Sequence, residues 1–274
     1  MNIKKFNKYF AFTKAGVLNS FAYKFSAFGW LLGDAVAILI LYYLWTAIYA
    51  NSPDPVINGM TFKVMITYLI FARVVSALTF SSVSFWIVGE DIYDGNISIN
   101  MTKPINYRYR LMFSSMGSYF ATSILMFIPL FIIASIALYF AIGLTPPSIG
   151  IFLLFVVSSF ISFLICDAFN FLIGQLAIFT NALFGLMITK NILLSFLSGS
   201  LLPVSFFPKW LQDLTDFMPF SSMVQTPVMI LLGHYQVLDI LRLIGIQIIW
   251  FIILNILCIF TFNRLKKHIV SVGG

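Results

Sequence analysis

The chain has 274 residues, 61% of them hydrophobic and only 9% charged, with a formal net charge of +7. Soluble domains carry about 25% charged residues, so a water-soluble fold is excluded and the expected solvent is a bilayer. The basic excess reads as lysines and arginines on cytoplasmic loops beside anionic lipid, not as a nucleic-acid footprint.

Residues 1–24 are basic over too long a stretch for a signal peptide. At about 100° per residue, Ile3, Phe6, Phe10, Val17 and Phe21 share one helical face, while Lys4, Lys5 and Lys8 point elsewhere. The reading is an amphipathic interfacial helix on the cytoplasmic membrane surface; a frayed basic terminus is the alternative. Residues 25–274 then form a single transmembrane domain. Its six spans are expected at about 25–49, 62–88, 112–142, 149–174, 184–201 and 239–262. About 20 helical residues cross a hydrocarbon core of about 30 Å. Pro129 is a kink position in the long third span. "QLAIFTNALFG", between the fourth and fifth, is only mildly polar, which leaves a five-span count open.

Eleven of the sixteen basic residues fall on one side if the N-terminus is inside. They are Lys4, Lys5, Lys8, Lys14, Lys24, Lys103, Arg108, Arg110, Arg264, Lys266 and Lys267. The positive-inside rule then puts both termini in the cytoplasm, which requires an even span count. Lys63, Lys209 and Arg242 lie near outer ends.

Two connections stand out. The inner one, 89–110, gathers Glu90, Asp91 and Asp94, three of only nine acids, with Gly95, Lys103 and Pro104. The outer one, 202–238, carries four of the ten prolines: Pro203, Pro208, Pro219 and Pro227. Pro208 is suited to open a short helix. In that helix Trp210, Leu211, Leu214 and Met218 face lipid, and Lys209, Gln212, Asp213 and Asp216 face water. The following "SSMVQTPVMILL", after Phe220, is apolar but too short to cross, so it reads as a re-entrant or interfacial segment.

No GxxxxGK[ST] loop is present, so no ATP site is expected in this chain. There is no HExxH, and His234 and His268 are expected on opposite sides of the membrane, so neither a metal site nor a catalytic triad is expected. Cys166 and Cys258 lie in apolar runs and read as buried free thiols. Four ionisable residues fall inside spans, where each costs a few kcal/mol unless paired or hydrated. Depth matches Asp34 to Arg73 and, less tightly, Asp167 to Lys190. Two such pairs either line a path or fix helix packing.

"EDIYDGNISINMTKPINY" resembles a pattern in type 2 ATP-binding-cassette (ABC) exporter permeases: an acidic start, a Gly, a short amphipathic run, then a basic residue before Pro. Tyr93 and Asp94 stand where that family often has an Arg before the Gly. "LSGSLLPVSFFPKWLQDLTDFMPFSSMVQTPVMILLGH" resembles the same family's outer stretch, with Gly, Pro, Phe-Pro, Trp-Leu, Pro-Phe and a later Pro in that order. The resemblance implies an all-α polytopic protein with six transmembrane helices, working beside a second permease, identical or paralogous. It also implies separate ABC ATPase subunits that hold ATP and Mg, with the 89–110 loop coupling them to export of an amphipathic substrate across the cell membrane. An ion-coupled secondary carrier and an intramembrane enzyme are the rival classes.

Overall fold

The computed structural model describes residues 3–272, apart from Asn181 and His234; the side chains of residues 3–6 and 266–272 also lie outside the description. The expectations for Lys4, Lys5, His234, Lys266, Lys267 and His268 therefore fall outside the described residues.

The protein is an all-α polytopic membrane protein. Among the described residues, five helical segments are long and apolar enough to cross a bilayer: Lys24–Ala50, Phe62–Thr79, Tyr107–Ile142, Ile149–Phe179 and Val237–Leu265. The expected fifth of six spans is the shorter apolar helix Leu183–Leu197, which at 1.5 Å per residue is about 22 Å long. We number the helices α1 (Ile3–Ala22), α2 (Lys24–Ala50), α3 (Phe62–Thr79), α4 (Ser84–Tyr93), α5 (Asn96–Thr102), α6 (Tyr107–Thr122), α7 (Ile128–Ile142), α8 (Ile149–Gly174), α9 (Leu183–Leu197), α10 (Lys209–Phe217), α11 (Gln225–Leu231) and α12 (Val237–Val272). A two-residue hairpin, Val56–Ile57 with Met60–Thr61, joins α2 to α3.

Local chemistry sets most boundaries. Thr61, Asn106 and Ser148 each accept the backbone N–H three residues on, and so cap α3, α6 and α8. Gly143, at φ +65°, closes α7 in the left-handed conformation that glycine adopts without penalty. Two spans depart from the continuous helices expected. The second stops at Thr79 and resumes at Ser84, so 62–88 is two helices, not one. The third carries a π-turn at Ser123–Phe127, just before Pro129. A local π adjustment shifts the neighbouring backbone bonds and so accommodates the donor that proline lacks.

The core lies around α3 and α8. Met65, Tyr68, Ala72, Val74 and Val75 of α3 are buried, as are Phe155, Phe163, Ile165, Cys166 and Phe171 of α8. By contrast only Asp34 and Trp45 of α2 are buried. The N-terminal helix packs along α6. Thr13 Oγ1 donates to the Phe113 carbonyl at 2.8 Å, and the Asn106 N–H donates to Tyr9 Oη at 3.0 Å. Its inward face is Tyr9, Phe12, Thr13 and Gly16, and Phe10 of the expected apolar stripe is exposed. The reason is backbone proximity. A Cβ on Gly16 would lie 2.4 Å from the Ser114 carbonyl oxygen, and one on Gly117 would lie 2.3 Å from that of Thr13. Small residues let helices approach this closely in membranes. Gly117→Leu should therefore separate α1 from α6 at a cost of about 1–3 kcal/mol, read as a lower thermal unfolding midpoint in detergent. Gly150→Leu, where a Cβ meets nothing within 4 Å, is the control expected to leave the midpoint unchanged.

Candidate functional site

The inner connection folds as a compact helical finger. α4 ends at Asp94, Gly95 turns at φ +73°, and α5 leads back to Lys103 and Pro104. Asp91 holds it from within. Its Oδ2 accepts hydrogen bonds from Asn100 Nδ2 at 2.9 Å and Tyr107 Oη at 2.7 Å, and pairs with Arg110 Nη2 at 3.2 Å. Lys103 Nζ and Arg110 Nη1 both donate to Asn100 Oδ1, at 2.8 and 3.1 Å. With Asp91 and Asn100 engaged, the tip presents Glu90, Tyr93, Asp94, Ile99, Lys103 and Pro104 to the outside. Tyr93 is 70% exposed and Ile99 62%, so the surface is mixed apolar and charged.

Above the finger lies a buried polar knot that composition concealed. Arg108 is not a loop cation as expected; it is 1% exposed. Asn106 caps α6 so early that Arg108 sits in the first turn, on the buried face with Leu111, Met112, Ser115 and Tyr119. Its Nη1 donates to Asp167 Oδ2 at 2.6 Å, its Nε to Asn255 Oδ1 at 3.2 Å, and its guanidinium stacks 5.1 Å from the Phe171 ring centroid. Asp167 Oδ1 also accepts from Ser82 and Ser84, at 2.7 and 2.5 Å. The expected Asp167–Lys190 pair therefore does not form. Lys190 instead donates to Asn170 Oδ1 at 2.6 Å and lies over the Phe85 ring. The arginine outcompetes the lysine because its planar fork reaches several buried acceptors at once. A buried Arg followed by Leu, Met, Ser and Tyr at helical spacing was the signal available in the sequence.

Asp34 and Arg73 do meet, with Arg73 Nε 2.8 Å from Asp34 Oδ1. They line a cavity of about 460 Å³ together with Trp30, Asn170 and Lys190.

On the other side, Pro208 immediately precedes α10 and Pro203 precedes a short 3₁₀ turn. Leu211 packs with Val204 and Phe207, so it faces inward, whereas Trp210, Leu214 and Phe217 form the exposed apolar stripe. Burial and the neighbouring Asp213 carboxylate push the Asp216 carboxyl up, against the pull of Lys209. After Pro219, Phe220 packs edge-on against Phe169. Met223, Val224 and Val228 are fully buried, and Pro227 sits in the first turn of α11, where its missing donor costs nothing. Polar groups fasten this segment. Gln247 Nε2 and Ser162 Oγ both donate to the Ser222 carbonyl, at 2.9 and 2.8 Å, and Thr79 Oγ1 donates to that of Met223 at 3.2 Å.

Residues 35–273 match the family described as ABC-2 family transporter protein. The chain belongs to that family. It is also 30% identical over 137 residues to ycf38 of Cyanophora paradoxa, which carries a provisional name as a transport permease. That match covers 49% of this chain and 44% of the relative, so the chain spans less than half the length of that protein. Membership agrees with the membrane-spanning fold described above.

Proposed function

We propose that the protein is the permease subunit of an exporter whose ATP and Mg sit on separate ABC ATPase subunits. In this reading the 89–110 finger is the handle that the ATPase moves, and a second permease stands beside the first. Substrates are amphipathic or hydrophobic: a drug, antibiotic, peptide or lipid leaving through the cell membrane. Both termini are cytoplasmic, and the Trp210, Leu214 and Phe217 stripe of α10 rests in the outer lipid interface. The observation that carries the proposal is the finger itself. Asp91 and Asn100 are engaged internally, while Glu90, Tyr93, Asp94, Ile99, Lys103 and Pro104 lie on its exposed face. Rigid surfaces of mixed apolar and charged character suit docking, where charge fixes register. An ion-coupled carrier gains little support, because Asp34 and Asp167 are each paired with an arginine.

The test is coexpression with a candidate ABC ATPase. The complex should survive mild detergent, and ATP turnover should appear only with the ATPase present. Hydrolysis by the pure chain would sink the reading. So would labelling of Asn96→Cys from outside intact cells, since the finger must be cytoplasmic.

A further inference from the structure

The cavity beside Asp34 has a composition unlike that of a simple packing defect. Its charged lining consists of Arg73, Lys190 and Asp34, so it carries one net positive charge. Asp34 engages only the Nε of Arg73, and neither Nη of that guanidinium makes a hydrogen bond to a described residue. Lys190 uses one of its three donors on Asn170. Two cations thus converge on one space with N–H groups to spare, inside a bundle where an uncompensated charge is costly. Trp30, at the cavity edge, is 68% exposed and belongs to α2, the least covered of the five long apolar helical segments. The space therefore has a cationic interior and an apolar, lipid-side rim.

We infer that this cavity binds the anionic headgroup of an amphiphile, a carboxylate or phosphate whose apolar tail leaves past Trp30 toward lipid. The inference rests on the permease reading and narrows its substrate class. Lys190 and the free edge of Arg73 hold the anion, and Asp34 is the internal competitor that keeps Arg73 in place when the cavity is vacant. A cationic amphiphile is disfavoured, since it meets two like charges for one opposite one.

The experiment uses the full chain in a neutral maltoside detergent, without ATPase, so its outcome is independent of whether a coupled complex assembles. Trp30 supplies the signal, as the difference in emission between wild type and Trp30→Phe. The probes are a dibrominated fatty acid at neutral pH, the alcohol of the same chain and the matching alkylammonium. The carboxylate should quench at a concentration about tenfold lower than the alcohol, the effect of one charge contact of about 1.4 kcal/mol. The alkylammonium should be weaker still. Lys190→Gln should bring carboxylate and alcohol to within about threefold. Asp34→Asn, with one competitor removed, should shift the carboxylate to lower concentration, whereas a purely structural pair would weaken it. A second arm compares nanodiscs of dibrominated phosphatidylglycerol with dibrominated phosphatidylcholine. Preferential quenching there identifies a membrane lipid as the source; preference confined to the fatty acid identifies a free amphiphile. Equal quenching by anionic and neutral probes in both arms overturns the inference, as does a preference that survives Lys190→Gln.

Discussion

Arg108→Met should lower the thermal unfolding midpoint of the detergent-purified chain by about 6–20 °C. The substitution keeps the length and apolar stem but leaves Asp167, which is 0% exposed, without its cation. Breaking a buried pair by removing one partner costs about 3–5 kcal/mol, and each kcal/mol is worth about 2–4 °C in a chain of this size. Ser82 and Ser84 still donate to the carboxylate, but two hydroxyls do not neutralise a charge. Asp167→Asn should be comparably damaging, since it strands the guanidinium. The double variant Arg108→Met with Asp167→Leu should recover much of the loss, because a buried pair replaced by apolar groups is often close to neutral. Additive losses in the double variant, or an unchanged midpoint in Arg108→Met, would remove the knot as a stabilising feature.

Gly95→Val should cut substrate export by the coupled complex about 5- to 150-fold while leaving the bundle folded. Gly95 holds φ +73°, and a Cβ there meets nothing within 4 Å, so the penalty is backbone strain and not collision. A β-branched residue in that region costs about 1–3 kcal/mol, which depopulates the working loop shape by the stated factor. Gly95→Asn is the diagnostic companion. Asparagine visits the left-handed region readily, so it should retain most of the transport that valine loses. The measurement is substrate uptake and ATP hydrolysis in reconstituted vesicles, with retention of the ATPase on the permease followed in parallel. If valine and asparagine behave alike, the finger's turn does not matter to coupling.

Much of the architecture was legible because bilayer thickness and helical rise leave few solutions for long apolar runs. The Asp34–Arg73 pair was legible for the same reason: equal depth on adjacent antiparallel spans is a one-dimensional argument. The Asp167 partner was not, because Arg108 follows Lys103-Pro104 in a basic stretch that reads as loop. Only the cap at Asn106 pulls its first turn into the bundle. The break after Thr79 was hidden by Ser81, Ser82 and Ser84, hydroxyl residues that hydropathy tolerates inside a span. Two of them serve as donors to Asp167, a need that does not show in a single segment. The packing of α1 on α6 was not legible, because Gly16 and Gly117 decide that approach and hydrophobicity does not.

The two helix interruptions have a mechanical meaning. Phe80 and Ser81 belong to the first, and Thr122 and Met126 flank or belong to the second; all four line the cavity that holds Arg73 and Lys190. The α8 rod, which supplies Asn170 to the same wall, runs unbroken for 26 residues. Compliance thus belongs to the walls that α3 and the third span supply, and stiffness to the wall that α8 supplies. Bending at either interruption would therefore reshape the chamber with less loss of helical hydrogen bonding than bending α8 would.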